Sequence, residues 1–142
     1  MRLCRSIGAA CLVAIASLLL PGCGASKEIG PLHPAAGKVT LDGANLHYGI
    51  VVFVPDLGKG NKLLFSPTAR VAADGTYALE TEGKQGAPAG WYKVMVITND
   101  PGAPANAQAI APRYGRVELT DLAVEVTAEP APAAYDFRLS KK

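Results

Sequence analysis

Cysteine is scarce in this chain. Of its 142 residues three are cysteines, at positions 4, 11 and 23, and none follows. A body without thiols beyond position 23 forms no disulfide, holds no thiolate nucleophile and builds no cysteine-based metal site. Histidine is almost as rare. With only His33 and His47 present, the third nitrogen or sulfur ligand of a tetrahedral zinc site is missing. The acidic residues form no D-x-D-x-D-G loop, so Asp42-Gly43 and Asp74-Gly75 read as hairpin turns rather than calcium ligands. Serines such as Ser66 and Ser140 have no base and orienting acid beside them. These shortages leave no metal, cofactor or catalytic residue to assign and point away from an enzyme. An excess of one charge is lacking too. Arg2 and Arg5 stand before position 23, and without them twelve basic residues face twelve acidic ones. Such a neutral body carries no basic patch for nucleic acid. A long hydrophobic run is also absent: Ile7 to Leu20 is apolar, but Pro21-Gly22 ends it short of the roughly 20 residues a membrane span requires.

What the N-terminus does contain is a short basic region, an apolar stretch of signal-peptide length, and then Leu20-Pro21-Gly22-Cys23. This tetrapeptide resembles the lipobox at which bacterial lipoproteins are cleaved and acylated. The resemblance implies a signal peptide over residues 1–22, its helix removed by cleavage before Cys23. Cys23 then becomes the lipidated, palmitate-bearing N-terminus, and several acyl chains give a durable membrane anchor where one would be marginal. Ordinary cleavage near Ala25 is the alternative, and would release a soluble protein without the cysteine. Gly24 follows Cys23 in place of the Asp that retains some lipoproteins at the inner membrane, which favours the outer membrane.

Residues 23–36, rich in Gly, Pro and Ala and without periodicity, read as a flexible, lipid-anchored tether. The remaining residues, 37–142, suffice for one domain and one core. No 3.6-residue apolar pattern is sustained there, and the alternation of strands dominates. Seven strands are expected: Gly37 to Leu41, the doubly apolar Ile50 to Val54, Thr68 to Ala72, Thr76 to Thr81, Trp91 to Thr98, Leu122 to Thr127, and Tyr135 to Ser140. Ala73-Asp74-Gly75 is expected to join the third and fourth as a tight hairpin. Leu63-Leu64-Phe65 reads as an irregular edge, and Ala105 to Ala109 as a short helix inside the long connection from Asn99 to Leu119. The fold class is all-β, a seven-stranded Greek-key sandwich.

The order Val39-Thr40-Leu41-Asp42-Gly43, Val51-Val52-Phe53-Val54-Pro55, Ala73-Asp74-Gly75-Thr76-Tyr77 and Pro88-Ala89-Gly90-Trp91-Tyr92-Lys93-Val94 resembles the carboxypeptidase regulatory-like, or transthyretin-like, domain of bacterial lipoproteins. Pro112-Arg113-Tyr114, Leu122 to Val126 and Tyr135 to Leu139 continue the likeness. A hydrolase of 5-hydroxyisourate shares the transthyretin fold and ends in Tyr-Arg-Gly-Ser. This chain ends in Arg138-Leu139-Ser140-Lys141-Lys142, so that activity is not implied.

Two residues are candidate partner contacts. Trp91, the only tryptophan, points outward if Tyr92 points in, where it could stack on a sugar, anchor a partner or cover a sheet edge. Tyr114, in the long connection, contacts a partner or packs the loop down. The leading expectation is a lipid-anchored envelope module that binds an envelope protein or polysaccharide, or serves structurally. The alternatives are a carrier of a small apolar ligand and a carbohydrate-binding module.

Overall fold

Alternation is obeyed residue by residue in the longest strand. Tyr92, Val94 and Val96 have no exposed surface, whereas Trp91, Lys93, Met95 and Ile97 between them reach solvent. Ile50 to Val54 resolves in the same way: Val51 and Phe53 are fully buried, and Ile50, Val52 and Val54 lie half-buried on the other face. A period of two places successive side chains on opposite faces of a sheet, so these two strands fix which face closes the core.

The computed structural model describes residues 28–142 and is predominantly β. In chain order its strands are β1 Leu32–His33, β2 Ala36–Leu41, β3 Ala44–Asn45, β4 Ile50–Pro55, β5 Thr68–Arg70 and β6 Thr76–Ala78. There follow β7 Glu80–Thr81, β8 Lys84–Gln85, β9 Ala87–Pro88, β10 Gly90–Ile97, β11 Ala123–Val126 and β12 Phe137–Leu139. Each of the seven expected segments contains a strand of three residues or more, and the remaining strands are two-residue pairings. Single 3-10 turns occupy Leu57–Lys59 and Pro112–Gly115.

The larger sheet runs β11-β10-β4-β5-β7-β8. The smaller is built around β2, which pairs in parallel with β12 (Val39 opposite Phe137) and antiparallel with β3 and β6. Phe53 of the larger sheet meets Phe137 of the smaller edge-on, with ring centroids 6.0 Å apart, and Tyr92 and Tyr135 at 5.6 and 6.4 Å complete the cluster. Tyr77 stacks on Phe137 at 6.3 Å and donates its hydroxyl to the Tyr135 carbonyl at 2.6 Å. The core is therefore sandwich-like, with aromatic rings from both sheets at its centre.

Two turns carry the expected chemistry. Asp42 and Gly43 both have positive φ, 49° and 85°, and link paired residues Leu41 and Ala44, the backbone demand of a two-residue hairpin. Asp74 instead accepts hydrogen bonds from the amide and hydroxyl of Thr76 through one carboxylate oxygen.

Four expectations are corrected. β5 and β6 do not form a hairpin: after the Asp74 turn, β6 pairs with β2 and β7 returns to β5 through Thr68 and Glu80. The chain switches sheets at Leu79, whose amide bonds the Ala35 carbonyl instead of a ladder partner. Leu63-Leu64-Phe65 pairs with no strand, and Leu64 is 73% exposed. Ala105 to Ala109 is not helical; the helical turn falls at Pro112–Gly115, where a proline can open the turn. The stretch assigned to the tether belongs to the folded body from Leu32 onward. β1 pairs with β9, and Ala35 is 3% exposed. Sequence pattern missed this because backbone proximity, not an apolar face, holds the segment: a Cβ at Gly86 would lie 2.7 Å from the His33 carbonyl oxygen. The signal peptide, Cys23 and the tether up to residue 27 lie outside the described residues.

Candidate functional site

The most developed surface feature is built around Trp91. Its carbonyl receives the Asp56 amide at 3.0 Å and the Asn61 side-chain amide at 2.8 Å, which moors the Asp56–Leu63 loop to β10. Asn61 is buried, and its side-chain oxygen accepts the Leu63 amide at 3.2 Å. Gly90 permits this approach, since a Cβ there would come 2.9 Å from the Asn61 side-chain nitrogen. The Asp56 carboxylate caps the 3-10 turn by accepting the Gly58 amide at 3.0 Å, and Gly60 closes it at φ 83°. These constraints place the Lys59 ammonium 3.6 Å from the centroid of the Trp91 ring, a cation–π geometry. Trp91 is thus half-buried at the surface, with one ring face already occupied by Lys59.

Comparison with family models, with curated proteins and with solved structures finds no match for this chain.

The loop and the residue after it carry two exposed leucines. Leu57 and Leu64 are each 73% exposed, and Lys59 and Lys62 are exposed between them. Glu125 is paired with Trp91 across β11 and lines the same shallow depression. Sequence reasoning found Trp91 but not Lys59 or Asn61. Gly58-Lys59-Gly60-Asn61 carries only turn grammar, and nothing in it reveals that the loop folds back onto β10.

Tyr114 is corrected as a contact residue. It is 3% exposed and packs the long connection down. Arg113 lies over its ring at 4.7 Å and donates to its hydroxyl at 2.9 Å. The same guanidinium reaches Ser140 Oγ at 3.1 Å and the Lys142 carbonyl at 3.2 Å. With Ala111 bonded to the Ser140 carbonyl, this cluster straps the C-terminus to the loop.

His47 is exposed and held by structural bonds, its amide donating to the Gln108 side chain at 2.7 Å and its Nδ1 lying 3.1 Å from the Ala73 carbonyl. His33 is half-buried in β1, whereas His47 lies in the connection between β3 and β4. Among the described residues no three His, Cys, Asp or Glu side chains gather in a metal-sized group.

Titratable groups with displaced pKa values serve structure. Burial raises the Tyr77 phenol well above its ordinary 10.0, aided by the nearby Asp136 charge, and burial raises Tyr92. Tyr48 is raised mainly by its hydrogen bond to Asp100, 2.8 Å long. The Thr76 hydroxyl and amide lower Asp74 below 3.8. None of these groups is paired as nucleophile and base. A groove of about 330 Å³ lies beneath the long connection, lined by Val96, Thr98, Ile110 and Arg116 among others. It sits at the small end of ligand sites, which run from about 300 to 1,000 Å³.

Proposed function

We propose that this chain is a lipid-anchored module of the bacterial cell envelope with a non-catalytic binding or structural role. The observation that carries the reading is Leu20-Pro21-Gly22-Cys23 at the end of the apolar run behind Arg2 and Arg5. Acylation of Cys23 makes membrane lipid its first partner, and the outer membrane its favoured address. The start of β1 supports the reading: Leu32 is nine positions beyond Cys23, which leaves a short tether between anchor and domain. No helix among the described residues is long and apolar enough to cross a membrane.

The finer architecture belongs to the same proposal. The seven longer strands divide four and three, β11-β10-β4-β5 against β12-β2-β6. The chain changes sheet four times along these seven strands and stays in the larger sheet for the antiparallel pairs β4-β5 and β10-β11, as in the Greek-key sandwich that the transthyretin-like resemblance implies. A binding or structural role is favoured over ligand carriage because Phe53, Tyr77, Tyr92 and Phe137 fill the space between the sheets. A sugar-stacking role is disfavoured because Lys59 already covers a face of Trp91.

Fatty-acid labelling of wild type and Cys23→Ala, with membrane fractionation, tests the reading. Wild type is expected to take up label and sediment with membranes, and the variant to do neither. Equal labelling of the two proteins, or a wild type that stays unlabelled and in the soluble fraction, would refute it.

A further inference from the structure

Resting on that lipid-anchored reading, we infer that the loop face around Trp91 lies against the bilayer that holds the anchor, and that anionic phospholipid headgroups are its ligand. Chain direction is the first argument. β1 pairs antiparallel with β9, Leu32 opposite Pro88 and His33 opposite Ala87. Followed back from Leu32 toward Cys23, the chain therefore departs past Pro88, the end of the pair from which Ala89 and Gly90 lead into Trp91. Ala89 and Gly90 line the same depression as Lys59, Asn61 and Trp91. The anchor thus leaves the domain at the Trp91 end. Nine residue steps separate Cys23 from Leu32, and at most about 3.3–3.6 Å per residue they reach roughly 30 Å. That end of the domain is held within one bilayer thickness of the membrane surface.

The chemistry of the face is the second argument. Leu57 and Leu64, each 73% exposed, are two of the three exposed large hydrophobic residues described; Leu57 lies in the loop moored to Trp91 and Leu64 directly follows it. Tryptophan is enriched at membrane–water interfaces, where its apolar ring and polar N–H are both satisfied. Lys59 and Lys62 stand between the leucines, and near an anionic surface each such cation contributes about 1 kcal/mol. The Asp56 carboxylate is turned into its own loop as a cap. Asp56 and Glu125 offset two of these charges, and Lys93, on the same face of β10 as Trp91, leaves the balance positive. Exposed aliphatic residues flanked by cations and a tryptophan match an interface between headgroup and acyl chain better than they match open water.

Because Trp91 is the only tryptophan, its fluorescence reports this face alone. The intact acylated protein is reconstituted into phosphatidylglycerol–phosphatidylethanolamine vesicles containing brominated acyl chains. Flotation reads the anchor, and bromine quenching of Trp91 reads the docking. The expected result is flotation with at least twofold quenching. Quenching should fall by more than half in phosphatidylcholine vesicles, and likewise in Lys59→Glu/Lys62→Glu, while both samples still float. A protein that floats with Trp91 unquenched by bromolipid and open to aqueous iodide overturns the docking and leaves the anchor standing. A wild type that fails to float removes the anchor and the docking with it.

Discussion

Replacing Tyr77 by phenylalanine removes one oxygen atom and tests how the two sheets are tied. The Tyr77 side chain is 4% exposed, and its hydroxyl donates to the Tyr135 carbonyl at 2.6 Å. Without it that carbonyl is left without its partner in the interior, at a cost of about 1–2 kcal/mol near pH 7. With a urea slope of about 1–3 kcal/mol/M, the unfolding midpoint moves down by roughly 0.5–1 M, and the emission of Trp91 follows the transition. Alkaline pH should reverse the ranking. Burial holds the folded Tyr77 phenol well above 10.0, so its contribution to wild-type stability is complete below pH 10 and is lost as pH rises toward the folded value. Above pH 10 the unfolded wild type loses a proton that the folded state keeps, and stability falls by about 1.4 kcal/mol per pH unit from this group. Tyr77→Phe escapes that loss, whereas Tyr92 titrates in both proteins. The two stability curves are expected to converge above pH 10 and cross near pH 11, where about one unit of titration equals the lost hydrogen bond. Curves that stay parallel from pH 8 to pH 11.5 would show that the hydroxyl is not buried against Tyr135.

Two glycines should behave in opposite ways in thermal unfolding. A Cβ on Gly37 would collide with the Tyr135 carbonyl, backbone against backbone, so Gly37→Ala is expected to cost more than about 3 kcal/mol, at the upper end for overpacking. Gly43→Ala meets open space at φ 85°, and about 1–2 kcal/mol from the left-handed backbone is expected; equal losses would contradict the register of β12 on β2. For Asp74, the Thr76 hydroxyl and amide depress the folded pKa below 3.8, so its stabilisation is complete above that value and is lost as pH falls through the lowered one. Asp74→Ala is expected to be less stable than wild type at pH 7, by less than Tyr77→Phe, and to match wild type near pH 2. A gap that persists unchanged in acid would show that the carboxylate does not cap this turn.

Strand positions were legible, and so were the inward faces of the alternating strands, because alternation is a local consequence of pleated backbone, whereas the doubly apolar Ile50 to Val54 left its inward side open. Tyr92, Val94 and Val96 could be assigned inward, and Trp91 outward, from spacing alone. The Asp42-Gly43 hairpin was equally legible, since two successive residues of positive φ require those side chains. The likeness of Leu20-Pro21-Gly22-Cys23 to a lipobox was read without any fold, because such a resemblance rests on residues adjacent in the chain. Other features depend on segments distant in sequence and leave no local pattern. The departure of β6 to β2, the parallel pairing of β12 with β2, and the capture of Leu32 to Ala35 are set by which backbones meet, as at Gly37 with Tyr135 and Gly86 with His33. The surface around Trp91 is of the same kind. An outward tryptophan follows from a period of two, but Asn61 reaching forward thirty residues to its carbonyl, and Lys59 settling on its ring, follow only when the loop closes. The sequence by itself determined the all-β character and the inward side of the alternating strands, because both depend on residues close along the chain. Only the tertiary structure decided the sheet order and the surface assembled around Trp91, because those depend on backbone hydrogen bonds between segments whose side chains carry no trace of their partners.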